Sequence, residues 1–87
     1  NINTEVVIFT KQEPEKIVKC IVEEYKRDAT WWEAKGGYTG GMTYMIITAL
    51  SKYECVHLRR ELKNLDSHAF LIEKDSINIG GRYEKHL

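Results

Sequence analysis

The sequence predicts a small α+β sandwich: a four-stranded antiparallel sheet carrying two helices on one face, with a short C-terminal extension. Three observations lead there. Four segments have the β-branched and aromatic make-up of strands, and two others repeat apolar residues at helical spacing. A glycine-rich stretch joins the second and third strand segments, and S-x-x-E opens the second helical one. The resulting order, strand–helix–strand–strand–helix–strand, is that of the split βαβ, or ferredoxin-like, plan.

The first strand is Thr4–Thr10, whose core Val6–Phe9 is β-branched or aromatic throughout. Thr10 with Glu13 three residues on reads as a capping box, and Pro14 fits only a first helical turn. Ile17, Val18, Ile21, Val22 and Tyr25 then form one apolar face of a helix ending near Arg27 or Asp28. Ala29–Lys35 is a second strand, and its adjacent Trp31 and Trp32 point to opposite faces, so one ring is expected in the core. Lys35–Gly41 holds four of the six glycines and is a turn or loop. Met42–Leu50 is the third strand, with Thr43 and Thr48 on opposite faces. Ser51 and Glu54 form the better capping box. Behind it Cys55, Leu58, Leu62 and Leu65 make an apolar stripe at spacings of three, four and three, stopped by Asp66 and Ser67. His68–Lys74 is the fourth strand, followed by a tail in which Ile77 and Ile79 alternate before Gly80-Gly81.

Composition narrows the function. The chain has 87 residues, of which 43% are hydrophobic and 30% charged, the balance of one folded domain (1–87) that buries about 60% of its surface. Thirteen basic and thirteen acidic side chains give zero net charge, so no long-range field draws in a nucleic-acid polymer or an anionic membrane. The charge is mildly uneven: residues 1–34 carry five basic and seven acidic groups, 35–65 five and two, and 66–87 three and four. Two cysteines do not make a disulfide scaffold, and no apolar run is long enough to cross a bilayer. The start at Asn1 rather than Met is consistent with an excised fragment.

Several constellations are weak on their own residues. Cys55 and His57 fall on different faces of one helix, and His68 and His86 have no neighbouring ligands at zinc spacing, so no metal or other cofactor is expected. Asp66 and Asp75 flank the fourth strand at opposite ends, which rules them out as an acid–base pair, and Asp66 reads as closing the second helix's turn. Arg59, Arg60 and Lys63 read as a solvated helix face. With no nucleophile, base and metal arrangement, the chain is not expected to be an enzyme.

Two helices cover one face of the sheet. The other is left with Val or Phe from the first strand, one tryptophan and part of the third strand, too apolar a surface for a lone small domain. A homo-oligomer is therefore expected.

Glu33-Ala34-Lys35-Gly36-Gly37-Tyr38-Thr39-Gly40, Ser51 with Glu54, Asp66-Ser67-His68-Ala69-Phe70, Asp75 and Ile79-Gly80 together resemble the C-terminal soluble domain of the YitT family of bacterial multipass membrane proteins. The resemblance implies a ferredoxin-like regulatory module, similar to the PII and ACT groups. It also implies an N-terminal transmembrane domain in a parent protein and a place on the cytoplasmic face of the plasma membrane. Two residues depart from the family pattern: Ala34 stands where glycine is frequent, and Arg82 takes the second glycine's place in the terminal Gly-x-Gly-aromatic step. A tail that required a left-handed backbone at position 82 would be strained by arginine.

The hairpin carries the functional expectation. Backbone N–H groups of Gly36, Gly37 and Gly40 can approach an anion, Lys35 adds charge, Tyr38 offers a stacking surface, Thr39 a hydroxyl, and Arg82 a bidentate donor from the tail. The expected partner is a small anionic metabolite, with a nucleotide among the candidates, bound at a subunit boundary. The same residues also suit a plain flexible connection, and the alternative function is an oligomerisation module with no ligand.

Overall fold

The computed structural model describes residues 1–83. Its elements are β1 (Thr4–Thr10), α1 (Glu15–Tyr25), β2 (Thr30–Lys35), β3 (Met42–Leu50), α2 (Lys52–Leu65) and β4 (Phe70–Lys74). The strands form one antiparallel sheet in the order β2-β3-β1-β4, so β1 and β3 are central and the later strand of each helix-bridged pair lies at an edge. This is the ferredoxin-like α+β sandwich.

The period-two alternation of β1 sends Thr4, Val6, Ile8 and Thr10 inward, and β3 does the same with Tyr44, Ile46, Thr48 and Leu50. Ile17, Ile21 and Tyr25 of α1 and Cys55, Leu58 and Leu62 of α2 pack on that face, giving one continuous core. Cys55 is buried as expected, and its desolvated thiol is pushed up to about 11. Cys20 is partly buried beside the core, and its thiol too is raised by burial.

Helix α2 begins with the capping box read from the sequence: the Glu54 N–H donates to Ser51 Oγ (3.1 Å) and the Ser51 N–H to Glu54 Oε1 (2.9 Å). Helix α1 does not. Its N-cap is Pro14, no side chain caps it, and Thr10 is occupied elsewhere. The Thr10 hydroxyl donates to the buried Asp66 carboxylate and accepts the Gln12 N–H (3.1 Å). Helix α1 also stops two residues early, where Lys26 turns left-handed at φ 56°.

The expectation that one tryptophan enters the core is corrected. Trp31 is 38% and Trp32 42% exposed, and no β2 residue belongs to the core. The helices pack over β1 and β3, so an edge strand has no helix above it. Trp31 lies on the helix side as a rim residue, edge-on to Tyr44 at 5.8 Å, while Trp32 lies on the open face opposite Met45.

Candidate functional site

The open face is ordered in rows by strand register. Trp32 stands opposite Met45, Met45 opposite Phe9, and Phe9 opposite Phe70, a rung that crosses all four strands. The next rung is Thr30, Ile47, Val7 and Ile72. Beyond it Ala49, Glu5 and Lys74 close the far end. The apolar open face expected from the sequence is thus present, with Phe70 56% and Ile72 54% exposed.

The glycine hairpin stands at the aromatic end of this face. Its backbone is closed by Gly36 N–H to Gly41 O (2.7 Å) and Gly40 N–H to Gly36 O (2.8 Å), while the Gly41 N–H donates to Thr39 Oγ1 (3.1 Å). Gly40 is left-handed at φ 71°, a conformation few side chains tolerate. Three of the loop's donors are therefore spent on the turn itself. The N–H groups of Gly37, Tyr38 and Thr39 have no partner among the described residues. The Tyr38 ring is fully exposed at the tip.

Between the hairpin and the sheet lies a cavity of about 390 Å³. Phe9, Met45 and Phe70 line it together with Lys35 to Thr39 of the hairpin, and Lys11, just past the end of β1, supplies a second cation. Neither Lys11 nor Lys35 is in an ion pair among the described residues. A neighbouring cavity of about 490 Å³ shares Phe9, Lys11, Thr43 and Phe70 and extends to His68 and Asp66. The Asp66 carboxylate already accepts the Thr10 hydroxyl and the His68 N–H (3.0 Å). The Thr10 hydroxyl holds it below the usual carboxylate range in spite of its burial.

Arg82 does not join this site within one chain. It lines a separate cavity of about 600 Å³ at the other end of the face, with Glu5, Asp28, Thr30, Ala49 and Tyr83. Thr30 borders that cavity and Lys35 the hairpin one, five residues along β2, or about 16 Å of extended strand. The tail is held there by Tyr83, whose hydroxyl donates to the Ala49 carbonyl (3.0 Å), and by Ile77 N–H to Asn3 O (3.1 Å). The positive φ of the terminal step falls on Gly81 (82°), so Arg82 is spared the strain its position suggested.

Phe9, Lys11, Ala34, Thr43, Met45 and Phe70 are the lining residues that sequence reasoning did not assign to the site. The alternation of β1 and β3 pointed to an apolar second face, but only the register shows which side chains share a row. Elsewhere the Tyr25 hydroxyl meets His57 Nδ1 at 2.7 Å between the helices, and burial raises the tyrosine's pKa. Among the described residues no three His, Cys, Asp or Glu side chains gather as a metal site would require; His86 lies outside those residues. No helix among them is long and apolar enough to cross a membrane.

A ferredoxin-like sheet with one covered face, one apolar face and a glycine hairpin at the open end defines the class of this domain. The family model described as "Uncharacterized protein conserved in bacteria (DUF2179)" matches residues 27–81, and the chain belongs to that family. The crystal structure of a DUF2179 protein from Eubacterium ventriosum is similar at 25% identity and a TM-score of 0.64, covering 82% of this chain and 97% of that one. A functionally unknown protein from Pediococcus pentosaceus ATCC 25745 has a TM-score of 0.73 at 10% identity, covering 95% of this chain and 100% of that one, and shares the fold. No curated protein matches.

Proposed function

We propose that this domain is a regulatory module that takes a small anionic metabolite between the glycine hairpin and the open sheet face. The observation that carries the reading is the 390 Å³ cavity, in which an apolar floor meets two lysines and the free N–H groups of Gly37, Tyr38 and Thr39. Its polar groups are cations and donors, suited to holding an anion rather than to nucleophilic or acid–base chemistry. We therefore read it as a binding module and not an enzyme. The resemblance to YitT C-terminal domains supports a setting on the cytoplasmic side of a multipass membrane protein, where ordering of the hairpin on binding would bias the attached membrane part.

A thermal-shift screen of anionic metabolites tests this. Ligand at 100 times its Kd adds about 2.7 kcal/mol, which for a domain this small raises Tm by roughly 10 °C or more. Lys35→Ala and Tyr38→Ala are expected to diminish the shift. If no anionic metabolite moves Tm, or if Lys35→Ala leaves a shift unchanged, the hairpin is not the site.

The aliphatic row of Ile47, Val7 and Ile72 favours a second reading, an assembly module in which copies pack through the open face or the strand edges. Light scattering is then expected to report a dimer or trimer. A 10.2 kDa species across the micromolar range would count against it.

A further inference from the structure

We infer that the free edge of β2 pairs antiparallel with β2 of a second copy, about a two-fold axis at Trp32, so that the hairpin cavity of one copy adjoins the Arg82 cavity of the other. This rests on the assembly reading and assigns the surface through which copies meet. β2 is an edge strand. The Gly36 N–H donates to Gly41 O, one pair beyond Lys35 and Met42, so Gly36 and Gly41 continue the ladder as a hydrogen-bonded pair. Such pairs alternate along antiparallel strands. Thr30, Trp32 and Ala34 therefore bond to β3, and the backbone N–H and C=O groups of Trp31, Glu33 and Lys35 point away from the sheet. None of them is hydrogen-bonded elsewhere among the described residues. A row of unpaired backbone groups beside two half-exposed tryptophans is a template for another strand. The opposite edge is better protected: β4 is shorter, the Ala69 N–H before it is spent on Asp66 O (3.1 Å), and Glu73 is tied to Arg59.

The side chains of β2 select a second copy and its register. A symmetric antiparallel pair sets each residue opposite one on the same face, so the axis falls on a residue. An axis at Glu33 opposes two carboxylates, and one at Trp31 sets Lys35 opposite Arg27. An axis at Ala34 places both tryptophans opposite Gly36 and Gly37, with no side chain to pack on. At Trp32 no like charges face each other: Trp31 meets Glu33, Thr30 meets Ala34, and Trp32 meets its own counterpart. Trp31 and Glu33 then exchange both backbone hydrogen bonds across the axis. The same register sets Ala34 and Gly36, which line the hairpin cavity, opposite the second copy's Thr30 and Asp28, which line its Arg82 cavity. Lys35 and Arg82, at opposite ends of one sheet, are thereby brought to one end across the interface.

Light scattering and amide hydrogen exchange on the 87-residue chain test this. A dimer is expected, in which the Trp31 and Glu33 amides exchange at least about ten-fold more slowly than after dilution to the monomer. Glu33→Pro removes an outward N–H and no bond to β3, so it is expected to abolish the dimer and leave the circular dichroism unchanged. Thr30→Cys with Ala34→Cys is expected to give a disulfide-linked dimer on oxidation, since facing residues of a non-hydrogen-bonded pair have Cα atoms about 4.5 Å apart. Ala34→Cys alone is expected to give none. A dimer whose Trp31 and Glu33 amides exchange freely would overturn pairing through β2 and leave the assembly reading standing. A monomer at every concentration would overturn both. A covalent dimer from Ala34→Cys alone would overturn the register, and with it the joining of the two cavities. Should Glu33→Pro fail to fold, amide exchange in the wild type decides the question.

Discussion

Replacing Leu62 by alanine is expected to lower the unfolding free energy by about 2–5 kcal/mol, a large part of the stability of a domain this size. Leu62 lies in the core with Ile17 and Ile21 of α1 and Leu58 of its own helix, at the seam between helices and sheet. Truncation removes apolar area and leaves a void that neighbours on three elements cannot all move to fill. Urea denaturation reads the loss as a lower midpoint at unchanged slope. Val56→Ala, on the exposed side of the same helix, is the control and is expected to cost no more than about 0.5 kcal/mol. Equal effects at the two positions would mean that α2 faces the sheet in another register.

Asp66→Ala is expected to cost roughly 3 kcal/mol, because charge-assisted hydrogen bonds of this kind contribute about 1.5–3 kcal/mol each. The carboxylate ties β1 to the end of α2 through the Thr10 hydroxyl and shapes the following turn through the His68 N–H. The same bonds make stability depend on acid. The folded pKa of Asp66 is depressed, chiefly by Thr10, so its stabilisation is complete above the unfolded value of about 3.9 and is lost as pH falls through the lower folded value. Chemical denaturation from pH 7 to pH 3 is expected to show a steeper decline for the wild type than for Asp66→Asn. Identical profiles would remove Asp66 from the acid response. Asp75 is depressed as well, by its hydrogen bond to Lys52, but that pair is exposed and its attraction is screened by water and salt.

Much of this fold is legible along the chain, because its signals are local. Thr4–Thr10 and Met42–Leu50 carry their strand character in consecutive β-branched and aromatic residues, and both ends agree with the structure. Ser51 and Glu54 sit three apart and cap each other without outside help. The spacing of Cys55, Leu58 and Leu62 determines which side of α2 is buried before any partner is known. The glycine hairpin is equally plain, since the turn must supply the left-handed conformation of Gly40.

What the sequence leaves open is decided by contacts between distant residues. Thr10 has the spacing of a helix cap, yet its hydroxyl goes to Asp66, 56 residues away, because the sheet brings the end of β1 beside the end of α2. Trp31 and Trp32 alternate as a strand requires, but alternation assigns faces and not neighbours, and the edge position of β2 keeps both rings out of the core. Arg82 and Lys35 offer the same charge, and the tail's anchor on Ala49 puts them at opposite ends of the sheet. The row of Trp32, Met45, Phe9 and Phe70 comes from four separate segments and exists only in the register of three strand pairs. Period and capping are properties of neighbours along the chain, so the sequence determines the elements and their buried sides. Register, edge position and tail docking depend on which elements meet, so the tertiary structure alone assembles the candidate site.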